Sequence, residues 1–226
     1  MPRVFPADPA LEGKCLYLMR HGKTYEPRLD TPVVAPEDDP GLKLTPDGRH
    51  GVEAVSRAMV DHHLDAAFSS TFTRSHETAR IVAEPHGLEV ETRSELEELR
   101  LYPPGGGDMR GVARLYIQLV KDLRRLPPDE VRLEGGDSLG EIVDRALVAL
   151  RECIEAPGRR VLVVAHGGLN RLLLTCLLGL PLERFLSFDQ DFACVNVIEF
   201  VRGGRPWVRA LNVTVDDPFK GGEITI

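Results

Sequence analysis

Two of the seven histidines in this 226-residue chain stand in the same local setting. Each follows a short apolar run and precedes glycine: Cys15 to Met19 leads into Arg20-His21-Gly22, and Val161 to Ala165 leads into His166-Gly167-Gly168. A third such run, Ala66 to Ser70, leads to Arg74 within a few residues. Two guanidinium groups, two imidazoles and neighbouring glycine amides suit a tetrahedral dianion, because the arginine fork offers paired, charge-assisted donors to phosphate oxygens. Phosphate is therefore the expected guest. An isolated Arg-His pair is ordinarily a surface or a satisfied core feature, and the repetition of apolar run, histidine and glycine is what favours chemistry here. His50, His62, His63, His76 and His86 lack that setting and read as exposed helix or loop residues.

The elements that must position these groups can be traced along the chain. Cys15 to Met19 reads as a buried strand. Tyr25 to Leu44 is rich in Pro and Asp and has no period. Thr45-Pro46-Asp47 then supplies an N-cap, an N1 proline and a first-turn acid for a helix to about Leu64. Ala66 to Ser70 is a second strand, Thr73 to Ala83 a helix stopped by Pro85 and Gly87, and Leu88 to Leu96 a further strand. A loop composition from Tyr102 to Asp108 and an amphipathic stretch from about Met109 to Leu126 read as an insertion over the core. Ser138 and Glu141 fit a capping box for a helix to about Glu155. Val161 to Ala165 is a third buried strand, Leu169 to Leu178 a buried helix, and Val195 to Val201 with Trp207 to Val213 are closing strands around Gly203-Gly204. Strands alternating with helices predict an α/β fold, a three-layer α/β/α sandwich whose central sheet is mostly parallel with helices on both faces. In such folds side chains at the carboxyl ends of the strands share one crevice. We expect a single domain over residues 1–226, with an inserted lid segment at about 99–134 over the site.

With 42% hydrophobic and 28% charged residues the composition is that of an ordinary globular protein, and the net charge of −7 lacks the basic field that would draw it to nucleic acid or anionic lipid. No run approaches the roughly 18 apolar residues of a membrane span, and the first residues do not resemble a secretory signal, so a cytoplasmic location is expected. Cys15, Cys153, Cys176 and Cys194 are widely spaced and form no C-x-x-C pair, which predicts reduced core thiols and no structural zinc.

These residues resemble the histidine phosphatase superfamily, also called phosphoglycerate-mutase-like. The similarity is carried by Leu18-Met19-Arg20-His21-Gly22-Lys23-Thr24, Leu44-Thr45-x-x-Gly48, Ser69-Ser70-x-x-x-Arg74-x-x-x-Thr78-Ala79, Leu96-x-Glu98, Gly135-Gly136-Asp137-Ser138 with Arg145, and Val163-Val164-Ala165-His166-Gly167-Gly168, and it spans about residues 15 to 201. The resemblance implies a covalent phosphohistidine mechanism in which His21 is the nucleophile, Arg20, Arg74 and His166 hold the phosphoryl oxygens, and Glu98 is the general acid. Neutral imidazole can play the first part near pH 7 without a metal, so no cofactor and no metal are implied. Glu95 and Glu97 lie beside Glu98, and all three would by default form a solvated acidic face; the spacing to Leu96 favours Glu98. Lys23, Thr24, Gly167, Arg100 and Tyr102 are candidate substrate-binding residues.

The chain also departs from the family pattern. Many members carry Glu or Gln after R-H-G and Asn six residues beyond the histidine, where this chain has Lys23 and Pro27. The W-E-G element that often follows the acid is replaced by Tyr102-Pro103-Pro104-Gly105-Gly106-Gly107. The expected activity is that of a histidine acid phosphatase-like phosphoric monoester hydrolase acting on a small phosphorylated metabolite. Two alternatives remain: a phosphoglycerate-type mutase, disfavoured because the E-R-H-Y-G context of mutases is absent, and an inactive phosphate-binding protein. A homodimer through the apolar C-terminal strands is possible on the same reading.

Overall fold

The computed structural model describes residues 3–24, 41–100, 109–133 and 136–215, with the side chains of 109–113 excepted. Six strands, β1 (Cys15–Arg20), β2 (Ala66–Ser70), β3 (Val90–Arg93), β4 (Arg160–Ala165), β5 (Val195–Val201) and β6 (Arg205–Val213), form one sheet in the order β3-β2-β4-β1-β5-β6. The pairs β3–β2, β2–β4 and β4–β1 are parallel, and β5 and β6 add antiparallel at one edge. β1 and β4 are apolar on both faces because both faces are covered. Leu16, Leu18, Val161 and Val163 pack with Leu150, Leu169 and Leu173 on one side, while Tyr17, Met19, Leu162 and Val164 meet Val52, Val55 and Val82 on the other. That double burial is why these strands read as unbroken hydrophobic runs.

Helices α1 (Pro46–Met59) and α2 (Thr73–Ala83) cover the second face, and α3 (Met109–Leu123), α4 (Leu139–Glu155) and α5 (Gly167–Leu177) belong to the first. The predicted starts are made by the predicted groups. Thr45 Oγ1 accepts from Gly48 N at 3.0 Å, and Ser138 and Glu141 exchange both capping-box bonds, at 3.1 and 2.7 Å. The α/β sandwich, its mostly parallel sheet and the helices on both faces are as the sequence predicts.

Some boundaries differ. β3 covers only Val90–Arg93, and the strand expected up to Leu96 closes in a 3-10 turn at Ser94–Leu96 that seats Leu96 in the core. α1 gives way at Val60 to a 3-10 turn, and α5 starts at Gly167, immediately after His166, rather than at Leu169. The amphipathic stretch read as an insertion is α3, whose Tyr116, Leu119 and Leu123 join the same apolar cluster as α4 and α5. The loop expected at Tyr102 to Asp108 lies outside the described residues. All four cysteines are free thiols; burial pushes Cys153, Cys176 and Cys194 up to about 12, so they are inert packing groups. Among the described residues no helix is long and apolar enough to cross a membrane.

Candidate active site

β1, β2 and β4 are neighbours in the parallel part of the sheet, so their carboxyl ends open on one crevice. The loop leaving β1 carries His21 and is clamped between α1 and α2. Gly22 N donates to Thr78 Oγ1 at 3.0 Å, and that hydroxyl donates to the Arg74 carbonyl at 2.7 Å. A Cβ on Gly22 would lie 2.6 Å from Val52, and one on Gly48 would lie 2.0 Å from the Lys23 carbonyl oxygen, so both positions need glycine for close approach rather than for backbone freedom. His21 is buried, and its Nδ1 lies 2.8 Å from the Gly22 carbonyl. A carbonyl only accepts, so Nδ1 carries the proton and Nε2 keeps its lone pair.

His166 sits directly before α5, with its ring edge-on to that of His21 and the centroids 5.2 Å apart. Its Nε2 is 2.7 Å from Ser70 Oγ and 3.3 Å from Ser75 Oγ. Ser70 Oγ also accepts from Phe72 N at 3.4 Å. His166 Nδ1 is buried and has no partner. Burial, followed by the charges of Arg74 and Arg20, pushes the His21 imidazole well below its ordinary value; burial, His21, Arg74 and Arg20 do the same to His166. Both rings are neutral near pH 7.

Arg74, the second residue of α2, is 1% exposed, and its guanidinium lies 4.7 Å from the Phe72 ring. Arg20 packs over Gly167, where a Cβ would come within 3.1 Å of its Cζ. The Arg20 guanidinium donates to the Gln190 carbonyl at 2.5 Å and lies 4.0 Å over the ring of Phe192, whose centroid is 5.6 Å from that of His21. Arg20 Nε is buried without an acceptor. Arg20, His21, Arg74 and His166 thus converge, with Arg20 Nε an unoccupied N–H donor in the same cluster as the unprotonated Nε2 of His21. That is a cradle for a tetrahedral anion facing a nucleophile.

The remaining candidates divide. Glu98 is brought to the same place: Oε2 accepts from Gly168 N at 3.0 Å, and Oε1 accepts from Leu169 N at 3.0 Å and from Leu99 N at 2.9 Å. It is therefore anchored on the first turn of α5, immediately after His166. Thr24 is buried with an unpartnered Oγ1. The Lys23 carbonyl accepts from Thr45 N at 2.9 Å and from Thr45 Oγ1 at 3.2 Å, which ties this loop to the start of α1. Arg100 is exposed, 4.0 Å from Glu97, and lines a cleft together with Glu95, Glu97 and Glu98. Glu97 accepts a hydrogen bond from the Thr71 hydroxyl. Tyr102 lies outside the described residues.

Sequence reasoning missed Gln190 and Phe192, which come from an aperiodic loop before β5 and carry no local signal. Ser70 was visible only as part of a motif; its position at the carboxyl end of β2, next to β4 and its histidine, is the clue that was available.

The sequence profile of the histidine phosphatase superfamily (branch 1) matches residues 16–214. The chain is 29% identical over 218 residues to the 2-carboxy-D-arabinitol-1-phosphatase of Triticum aestivum, covering 94% of this chain and 43% of that protein, so it spans less than half of that relative's length. It is 30% identical over 169 residues to the "Probable phosphoglycerate mutase GpmB" of Serratia proteamaculans, covering 74% of this chain and 75% of that one. Among solved structures, that of mycobacterial glucosyl-3-phosphoglycerate phosphatase superposes with a TM-score of 0.70 at 21% identity, over 89% of this chain and 99% of that one. At that identity the likeness is one of fold.

Proposed function

This chain belongs to the histidine phosphatase superfamily, and from that premise we propose that it is a metal-independent, histidine acid phosphatase-like phosphoric monoester hydrolase of small phosphorylated metabolites. The observation that carries the reading is the His21 ring, with Nδ1 tied to the Gly22 carbonyl and Nε2 unprotonated in a cluster with the unpartnered Arg20 Nε and His166 Nδ1.

In the first step His21 Nε2 attacks phosphorus in line, the N–P bond forms, and the P–O bond to the alcohol breaks. Arg20 Nε, His166 Nδ1 and the Arg74 guanidinium hold the non-bridging oxygens, with Thr24 Oγ1 as a further donor. Their role is positioning and electrostatic preorganisation, because the transferred group needs little other help. Glu98 gives the departing oxygen a proton. In the second step Glu98 takes a proton from water, the resulting hydroxide attacks phosphorus, and the N–P bond breaks to release phosphate and the neutral His21. The absence of any disulfide suits a reducing, cytoplasmic setting.

The similarity to a protein named as a mutase supports a second reading, in which the phosphoryl group passes to another hydroxyl rather than to water. One experiment separates them. Purified protein is incubated with p-nitrophenyl phosphate in EDTA, beside His21→Ala, and separately with 3-phosphoglycerate. The expected result is phosphate release that survives EDTA and is lost in His21→Ala, with acid-labile phosphate on the wild-type chain. Activity that needs an added divalent metal would refute the proposal, and isomerisation of phosphoglycerate with little phosphate release would establish the mutase.

A further inference from the structure

Glu98 has a second surroundings besides α5. It lines a cleft of about 440 Å³ shared with Glu95, Glu97, Arg100, Asp137 and Arg145. A proton donor must touch the oxygen that leaves, so on the phosphatase reading the body of the leaving group lies in the space that opens from Glu98. The chemistry of that space constrains what the leaving group is.

Several polar atoms of the lining are already engaged. The Glu98 oxygens are held by backbone N–H groups, Glu97 Oε1 by Thr71, and Asp137 Oδ2 by an Arg145 terminal nitrogen at 3.0 Å. Arg145 Nε, by contrast, is a buried donor with no acceptor. A buried donor without an acceptor is costly, and a bound oxygen atom would relieve it. The charge of the lining limits which oxygen that is: with Glu98 protonated for its part as acid, three carboxylates stand against two guanidinium groups, a formal excess of one negative charge. A carboxylate or second phosphate could accept from Arg145 but would be repelled by that excess. An ammonium group suits the excess but cannot accept a hydrogen bond. A hydroxyl satisfies both conditions, accepting from Arg145 Nε and donating to a neighbouring glutamate.

We propose that this cleft is the leaving-group subsite and that it selects uncharged, polyhydroxylated alcohols, with Arg145 as a specificity-determining residue. The substrates are then polyol or sugar monophosphates, and the proposal rests on the phosphatase reading above. Leu133 and Ile142, also in the lining, offer an apolar surface to the C–H groups of such a chain.

The test compares kcat/KM for three small esters, glycerol 3-phosphate, 3-phosphoglycerate and O-phosphoethanolamine, with p-nitrophenyl phosphate as the reporter of phosphoryl transfer itself. The expected result is a preference for glycerol 3-phosphate over both charged esters of about tenfold, the equivalent of one charge-assisted hydrogen bond, and a larger value for sorbitol 6-phosphate. In Arg145→Met that preference collapses towards unity, mainly through KM, and Arg145→Lys does not restore it because lysine lacks the fixed Nε donor. Equal or better hydrolysis of either charged ester by the wild type overturns the subsite, as does a preference retained in Arg145→Met. If p-nitrophenyl phosphate is also untouched, the phosphatase reading itself has failed. The wild-type comparison decides alone if Arg145→Met melts early.

Discussion

With Nδ1 of His21 committed to the Gly22 carbonyl, Nε2 is the nitrogen of that ring free to bond phosphorus. The second ring, His166, has serine hydroxyls rather than a carbonyl at its Nε2, so the two imidazoles stand in different hydrogen-bonding surroundings. Glu98 is anchored through three backbone N–H groups, yet only one of them bonds Oε2, which leaves that oxygen a free lone-pair direction for proton exchange. Its proposed role makes a selective prediction. Alkoxides are poor leaving groups and need a proton, whereas nitrophenolate leaves without one. In Glu98→Gln, kcat for an alkyl phosphate is expected to fall by about 10²–10⁴-fold, and for p-nitrophenyl phosphate by much less. Rates measured on both esters check this, and equal losses would remove Glu98 from the role of acid.

At the scale of elements, the start of α1 holds the loop that carries His21. Thr45 donates twice to the Lys23 carbonyl, two residues beyond His21, and Gly48 packs closely against it. An alanine at position 48 would press its Cβ to 2.0 Å from that oxygen, so backbone must shift. Gly48→Ala is expected to cost about 1–3 kcal/mol of stability and to lower kcat as well. Ser138→Ala removes one capping bond at the start of α4 and is expected to cost about 1 kcal/mol. Urea midpoints together with turnover on p-nitrophenyl phosphate measure both; a Gly48→Ala protein with full activity would show that the clamp does not position His21.

For the molecule as a whole, burying two neutral imidazoles links stability to pH. Both are held well below the ordinary value of 6.5 in the folded state, so below that pH the unfolded chain binds protons that the folded chain refuses. Stability contributed by this pair is complete above about 6.5 and is lost as pH falls towards the folded values, with a slope of up to about 1.4 kcal/mol per pH unit for each ring. The melting temperature of the wild type is expected to fall between pH 6.5 and 5, and the curve to flatten in the double variant His21→Gln with His166→Gln. Calorimetry across that range provides the check, and parallel curves for the two proteins would contradict the linkage.

The strand ends that deliver Arg20, His21 and His166, the caps at Thr45 and Ser138 and the choice of Glu98 among its acidic neighbours as the carboxylate that meets α5 were legible in the chain itself, because each is encoded within a few residues by hydrophobic period, capping chemistry or motif spacing. Contacts between remote loops have no such local code. Arg20 meets Gln190 across 170 residues, and Phe192 reaches the His21 ring from that same loop, only because β5 lies beside β1 in the sheet. The surroundings of Glu98 were equally a tertiary outcome: α5 offers backbone donors to its carboxylate, and the cleft it lines with Arg100 takes Asp137 and Arg145 from around the start of α4. Residue types and order determined the chemistry this protein can attempt, and packing decided which donors remain unoccupied around the nucleophile.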